Sequence, residues 1–427
     1  MMNRQLNRRR MMQTSALASA GFWIGTQAKA ADSPNEKLNI ACIGIGGRGA
    51  ANVGGVESQN IVALCDVDDS RAGKAYEKHP KAKKYIDFRK MLDKMDKEID
   101  AVVVSTPDHT HFHPSMMAMQ MGKHLYCEKP MAHTVWEARE MTKMAAKMRV
   151  ATQLGVQRHT LTNMHRSVEL IQAGAIGKVS EVHCWISGDR GMPAMPTDKM
   201  AAPPGLDWDL WLGPAKERPY HTAYCPYGWR FWWDFGTGET GNWGCHILDT
   251  PYWALGLKYP TKVAGSGPAI DDQRTPKAMT TSFEFADQGV TLHWYHAKNG
   301  PPILQEKGLS DRGMNTLFIG ADGMLLTGFS KYKLYPEDKF AEFKAPEQTI
   351  EDSPGFYKEW FTACKGGPPA TCDFDYSGPL SETVLLGNAA YRAGGGFDWD
   401  ANALTASGNE KVPQFLRTEF RKGWEAY

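Results

Sequence analysis

The segment from Leu38 to Asp66 constrains this chain more than any other. A short apolar run, Leu38-Asn39-Ile40-Ala41-Cys42-Ile43, ends in Gly44-Ile45-Gly46-Gly47-Arg48-Gly49. A helix-compatible stretch follows at 49–57, and a second apolar run, Ile61-Val62-Ala63-Leu64-Cys65, ends on Asp66. Two buried strands joined by a glycine turn and a helix close as a parallel βαβ unit. The first glycine allows the tight turn, the second lets backbone approach a pyrophosphate, and the third lets helix and strand pack closely. The helix N-terminus favours phosphate charge. Asp66 would accept hydrogen bonds from ribose hydroxyls and repel a 2′-phosphate, so NAD is favoured over NADP. Arg48 could stack on an adenine or meet a phosphate, which keeps NADP open. The expected nucleotide contacts are Gly44, Gly46, Gly47, Arg48, Gly49 and Asp66.

The alternation continues. Strands are predicted at 101–106 and 124–128, and helices at 70–78, 112–122 and 134–148. Alternating β and α over this length means a doubly wound parallel sheet, a Rossmann domain placed at 36–155. Beyond a helix at 162–173 the pattern lengthens into alternating strands at 178–187, 280–286, 290–296, 315–319 and 324–327. These predict an α+β domain at 156–427 built on a large, mostly antiparallel open sheet. Residues 188–235 are rich in Pro, Trp and Tyr without periodicity, and read as an ordered loop region over a site. Helical spacing returns at 354–366 and 380–393.

The first thirty residues read as a leader. Arg8-Arg9-Arg10 precedes a short apolar segment, and Ala28-Lys29-Ala30 is an A-x-A cleavage signal. Asn7-Arg8-Arg9-Arg10-Met11-Met12-Gln13 resembles a twin-arginine export motif, which predicts a folded protein delivered to the periplasm. The leader carries five basic residues and no acid, so the remainder is mildly acidic, with no nucleic-acid footprint. No run after it is apolar enough to span a membrane. The 8 cysteines have no C-x-x-C spacing, so no metal site is predicted from them. Cys42, Cys65 and Cys127 read as buried thiols; an oxidising compartment could join Cys364 and Cys372, but a twin-arginine substrate folds before export in a reducing cytoplasm, so the bond is not expected.

Glu128-Lys129-Pro130 closes the strand at 124–128 and sets an amine on a turn beside the nucleotide loop. Here the chain resembles the Gfo/Idh/MocA oxidoreductases. The likeness rests on the glycine loop, Ser105-Thr106-Pro107-Asp108-His109-Thr110-His111, Gly122-Lys123-His124-Leu125-Tyr126-Cys127-Glu128-Lys129-Pro130, Gly174-Ala175-Ile176-Gly177 and Gly241-Asn242-Trp243-Gly244-Cys245-His246. The resemblance implies that Lys129, before a cis-proline, is catalytic, and that Glu128 helps hold lysine and cofactor. It also implies that Thr106, Pro107 and His111 line the nicotinamide end. His246 matches the family's acid/base histidine and is the expected general base in alcohol oxidation and acid in the reverse direction, while Asn242 stands where aspartate is usual. Arg158, Tyr224, Arg230 and Asn242 are expected substrate contacts, with tryptophans 208, 211, 229, 232 and 233 offering stacking faces for a sugar.

The expected function is NAD(P)-dependent oxidation or reduction at a secondary carbon of a sugar, glycoside or polyol. An exported enzyme meets no NAD pool, so its cofactor would be loaded inside and retained. Two alternatives stay open: a glycosidase working by transient oxidation and elimination, and a non-catalytic nucleotide-holding or sugar-sensing protein. The resemblance also implies a dimer or tetramer.

Overall fold

A computed structural model describes residues 37–298 and 300–425; the leader therefore lies outside the described residues. Six strands form the first sheet: β1 (Asn39–Ile43), β2 (Asn60–Cys65), β3 (Lys83–Tyr85), β4 (Ala101–Val104), β5 (His124–Cys127) and β6 (Thr152–Leu154). Their order is β3-β2-β1-β4-β5-β6, and every pairing is parallel. β4 is wholly buried Ala-Val-Val-Val, as a strand covered on both faces must be. The order reverses between β1 and β4, so the chain leaves a crevice at their carboxyl ends. Both the glycine loop and the 105–111 segment begin there.

Nine strands form the second sheet: β7 (Val179–Ser187), β8 (Lys262–Ser266), β9 (Met279–Phe285), β10 (Val290–Ala297), β11 (Thr316–Gly320), β12 (Met324–Thr327), β13 (Tyr332–Tyr335), β14 (Phe397–Asp400) and β15 (Thr405–Ser407). The order is β13-β12-β11-β7-β10-β9-β8-β14-β15. Among the described residues β7 and β10 pair in parallel, and the other neighbours antiparallel. β10 alternates buried and half-buried residues along its whole length, which gives the sheet one inner and one outer face.

The helix Phe374–Arg392 ties the halves together. It is buried on all sides, packing on the helix Val135–Met148, on β8 and β9, and on the helix Gly238–Ile247. Within it Glu382 receives Arg139 in a two-pronged ion pair at 2.6 and 2.7 Å. The helix starts earlier than its spacing suggests, because Asp373 caps it by accepting from the Tyr376 amide at 3.0 Å and Pro379 sits inside rather than at its start. One core runs from Ile40, Val103 and Leu125 of the parallel sheet to Phe283, Leu292 and Val384. The 188–235 region builds its own cluster around Trp211, Tyr224, Trp232 and Phe235. All eight cysteines are free and buried, Cys364 and Cys372 included. No described helix is long and apolar enough to cross a membrane.

Candidate active site

A cleft of about 820 Å³ opens at the crevice of the parallel sheet and is roofed by the aromatic loop region. At one end β1 turns at Gly44, whose φ is 74°. A side chain there would meet the Ser105 and Thr106 backbone at 2.8 Å, and one on Gly49 would lie 1.8 Å from the Gly44 carbonyl oxygen. The third glycine thus serves helix–strand packing, and Gly49 itself does not line the cleft. The helix Arg48–Val56 has no side-chain cap and no acid in its first turn. Its positive end is therefore left for an anionic ligand, although the Gly49 amide donates to the Gly46 oxygen at 2.9 Å. Asp66 Oδ2 accepts from the Ile45 and Gly46 amides at 2.8 and 3.2 Å, and Oδ1 from Asp68 at 3.1 Å. Burial raises its pKa and these donors oppose the rise. The carboxylate is fixed at the rim of the loop, where a ribose would lie. Uncapped helix, glycine cradle and rim carboxylate together fit a dinucleotide.

At the other end β5 delivers Glu128-Lys129-Pro130, with the Lys129–Pro130 bond cis. The helix Gly238–Ile247 presents Asn242 and His246, one turn apart, to the same cleft. Lys129 Nζ donates to the Asn242 backbone oxygen at 2.8 Å and to its Oδ1 at 2.9 Å. Burial lowers the Lys129 pKa, against the pull of Glu128 and Asp108. His246 is held well below its ordinary value by burial, then by Lys129, Arg158 and Arg48. It is a neutral ring, and its Nδ1 is buried without a hydrogen-bond partner. A buried ring nitrogen with no protein partner is an open position for a ligand hydroxyl.

Glu128 is the hub beneath the lysine. Its Oε1 accepts from Arg48 Nε at 3.1 Å, Asn52 Nδ2 at 2.9 Å and Gln157 Nε2 at 2.8 Å. Arg48 is thereby turned towards the Lys129 turn instead of the adenine position that its place in the glycine loop suggests, because the nearest buried anion is Glu128. His111 locks the opposite side. Its Nδ1 lies 2.8 Å from the Pro130 carbonyl oxygen and its Nε2 2.8 Å from that of Thr106. Both oxygens are acceptors, so both nitrogens carry protons and the ring is a cation. Burial opposes that charge, but Cys127, Asp108 and the Pro130 carbonyl outweigh it and raise the pKa to about 9.

A histidine pKa raised by folding stabilises fully below the unfolded value of 6.5, and the contribution disappears as pH rises through about 9. The stake is about 3 kcal/mol. Thermal melts across that window are expected to show the loss in wild type and to show a much flatter profile in His111→Asn.

Thr106, Pro107, His111, Glu128, Lys129, Arg158, Arg230, Asn242 and His246 all line the one cleft with Gly44, Gly46, Gly47, Arg48 and Asp66. Arg158 lies over Phe329 at 4.0 Å, behind the cleft lining, and Arg230 over Trp229 at 4.2 Å, a cation on an aromatic face of the cleft wall. Tyr224 corrects its expected role. It is buried against Trp232 at 4.8 Å and Phe235 at 5.5 Å, under the Arg218 guanidinium, and does not line the cleft. Trp211 and Trp229 reach the cleft, whereas Trp232 and Trp233 are fixed in the core by indole bonds to Ala223 and Asp271. Three residues were not anticipated. Asp108 is buried in the cleft wall and accepts from Thr237 at 2.6 Å. Arg71 closes over the glycine loop, within 2.7 Å of where a Gly47 side chain would start. Glu239 sits 3.5 Å from Asn242 Nδ2 and is paired with Arg190 at 2.7 Å. Asp249, one turn past His246, is buried against His159 and Tyr376, away from the chemistry.

Comparison with known proteins agrees with this arrangement. Residues 38–156 match the model of the oxidoreductase family's NAD-binding Rossmann fold, and residues 185–426 that of its C-terminal alpha/beta domain. A glycosyl hydrolase family 109 protein of Solibacter usitatus is 31% identical over 205 residues, 41% of this chain and 44% of that one. Inositol 2-dehydrogenase 1 of Saccharopolyspora erythraea is 33% identical over 156 residues, 34% and 45% of the two chains. The chain thus aligns with less than half the length of these relatives. The WlbA dehydrogenase of Bordetella pertussis, solved with NADH and UDP-GlcNAcA, superposes with a TM-score of 0.61 at 16% identity, covering 86% of this chain and 99% of that one. The aldose-aldose oxidoreductase of Caulobacter crescentus, solved with glycerol, gives 0.57 at 16% identity over 85% and 100%. At such identities the likeness is one of fold. The two family models, one of which covers more than half of the chain, place it in the Gfo/Idh/MocA oxidoreductase family, with an NAD-binding Rossmann domain.

Proposed function

We propose that this protein is an NAD-dependent oxidoreductase acting on a secondary hydroxyl or carbonyl of a sugar, glycoside or polyol, with its cofactor tightly retained. The observation that carries the reading is the pairing of Lys129 with a neutral amide in the cleft that begins at the glycine loop. Once deprotonated, which burial makes easier, Lys129 is an amine with two N–H groups and one lone pair. Both N–H groups are spent on the two Asn242 oxygens. The lone pair is then free to accept the proton of a substrate hydroxyl. NAD, when bound, supplies the hydride acceptor. In the reverse direction the ammonium returns the proton to a carbonyl oxygen. His246, held neutral, bonds and orients the hydroxyl; its depressed pKa makes it a poorer proton acceptor than Lys129. Glu128 keeps the lysine turn and the glycine helix in register through Arg48 and Asn52. Arg158, Arg230 and Trp229 suit a ligand with hydroxyls on its edge and C–H groups on its face.

A carboxylate at position 66 supports NAD as the nucleotide. Asp66→Asn is expected to weaken NAD by about 1.5–3 kcal/mol, the range for bonds to a charged group, and to narrow its preference over NADP. Titration with both nucleotides checks this.

The second reading is a glycosidase that oxidises a ring carbon, eliminates the aglycone, adds water and reduces again. The family 109 glycosyl hydrolase relative favours it. Nitrophenyl glycosides separate the two: release of nitrophenol without net reduced nucleotide supports hydrolysis. A twin-arginine leader at the N-terminus and periplasmic delivery fit either reading, since both recycle a retained cofactor. Fractionation of cells with Arg8 and Arg9 replaced by lysine tests the export step. We also propose a homo-oligomer, a dimer or tetramer, to be read by sedimentation.

A further inference from the structure

The outer face of the nine-stranded sheet carries a cluster unrelated to the cleft. Glu181 and His183 are two apart on β7, so they share a face. On β10 the residue in register with His183 is His293, and Tyr295 follows two places on. The two imidazoles stack at 4.8 Å and 15°. Glu181 Oε1 lies 3.1 Å from His183 Nε2 and 3.1 Å from His293 Nε2. Donor atoms of all three residues fall within 4.8 Å of one another.

We propose that Glu181, His183 and His293 form a divalent transition-metal site, of the zinc class, across the β7–β10 pair. Two observations beyond proximity support it. His183 is buried, and its Nε2, aimed at the carboxylate, makes no hydrogen bond to a protein atom. Its other nitrogen, Nδ1, lies 3.0 Å from the Tyr295 hydroxyl. With Nδ1–H donating to that oxygen, the Nε2 lone pair faces the carboxylate, which is the tautomer a metal ligand needs. Two imidazoles and one carboxylate suit zinc and its neighbours, and leave a position for water or another donor. The cysteine spacing gave no hint of this, because the ligands meet only through strand register.

Cobalt(II) and zinc titrations of the full chain test the site. One cobalt per chain is expected, with a ligand-field spectrum free of thiolate charge transfer and displaced by zinc. His293→Ala and Glu181→Gln, both half-exposed positions, are expected to abolish stoichiometric binding while the melting profile of the apo protein is kept. Tyr295→Phe, which removes only the oxygen holding Nδ1–H, is expected to weaken binding about 10-fold. Absence of binding by wild type, full binding by the His293 and Glu181 variants, or a thiolate band indicating the buried His159–Asp249–Cys372 group would each overturn the proposal.

Discussion

Lys129→Met is expected to leave a folded protein that still carries NAD and turns over about 10²–10⁴-fold more slowly, the range for loss of a positioned acid–base group. The side chain of methionine fills the same half-buried channel, so packing is preserved. What disappears is the single atom, Nζ, that faces both Asn242 oxygens and the substrate end of the cleft. Nucleotide binding rests on other groups: the glycine turn, the uncapped helix and Asp66. The effect should therefore fall on turnover, with nucleotide content unchanged when measured on the purified protein. A variant that turns over at near wild-type rate would remove Lys129 from the chemistry.

Asn242→Asp is the second large effect, and its sign is the informative part. A carboxylate at 2.9 Å from Nζ would favour the ammonium and raise the lysine pKa by about 1–3 units. Catalysis needs the amine, so the acid limb of the pH–rate profile should move up by the same amount, with roughly tenfold loss of rate at neutral pH for each unit. The neighbourhood explains why an amide stands here. Glu239, already ionically paired with Arg190, lies 3.5 Å from Asn242 Nδ2. An aspartate would set two carboxylates against one another and lose the bond that the amide nitrogen donates. Asn242→Ala, which keeps the backbone acceptor alone, should slow turnover with little movement of the limb. A limb that stays in place in Asn242→Asp would mean that Lys129 is not the group that titrates.

Much of this site is legible in the residues alone, for physical reasons. A glycine turn followed by an acid at the end of the next strand permits few geometries, so the roles of Gly44 and Asp66 are legible in the sequence alone. Lys129 and His246 were found by motif, and both line the cleft. Groups whose meaning depends on partners were not legible. Asp108 and Arg71 look like ordinary loop and helix charges until the fold sets them against Thr237 and the glycine turn. Tyr224 was misplaced because an aromatic in a site-covering loop can face either way, and here the Trp232–Phe235 cluster offered more apolar contact. Strands β3 and β6 have three residues each, too few to show a period. β14 pairs with β15 on one side and with β8 on the other, the latter a partnership set by register across a long separation.

The central claim is that a hydroxyl-bearing carbon is oxidised in this cleft by hydride transfer to a nucleotide held at the glycine loop. The most direct measurement uses the purified protein with sugars, glycosides and polyols deuterated at their carbinol carbons, followed by mass spectrometry of the bound nucleotide. The expected result, in samples quenched within the first turnover and before the deuteride is passed on, is deuterium on the nicotinamide in wild type and none in Lys129→Met, with equal nucleotide in both. Carbohydrate converted in that first turnover while the nucleotide stays unlabelled would contradict the account.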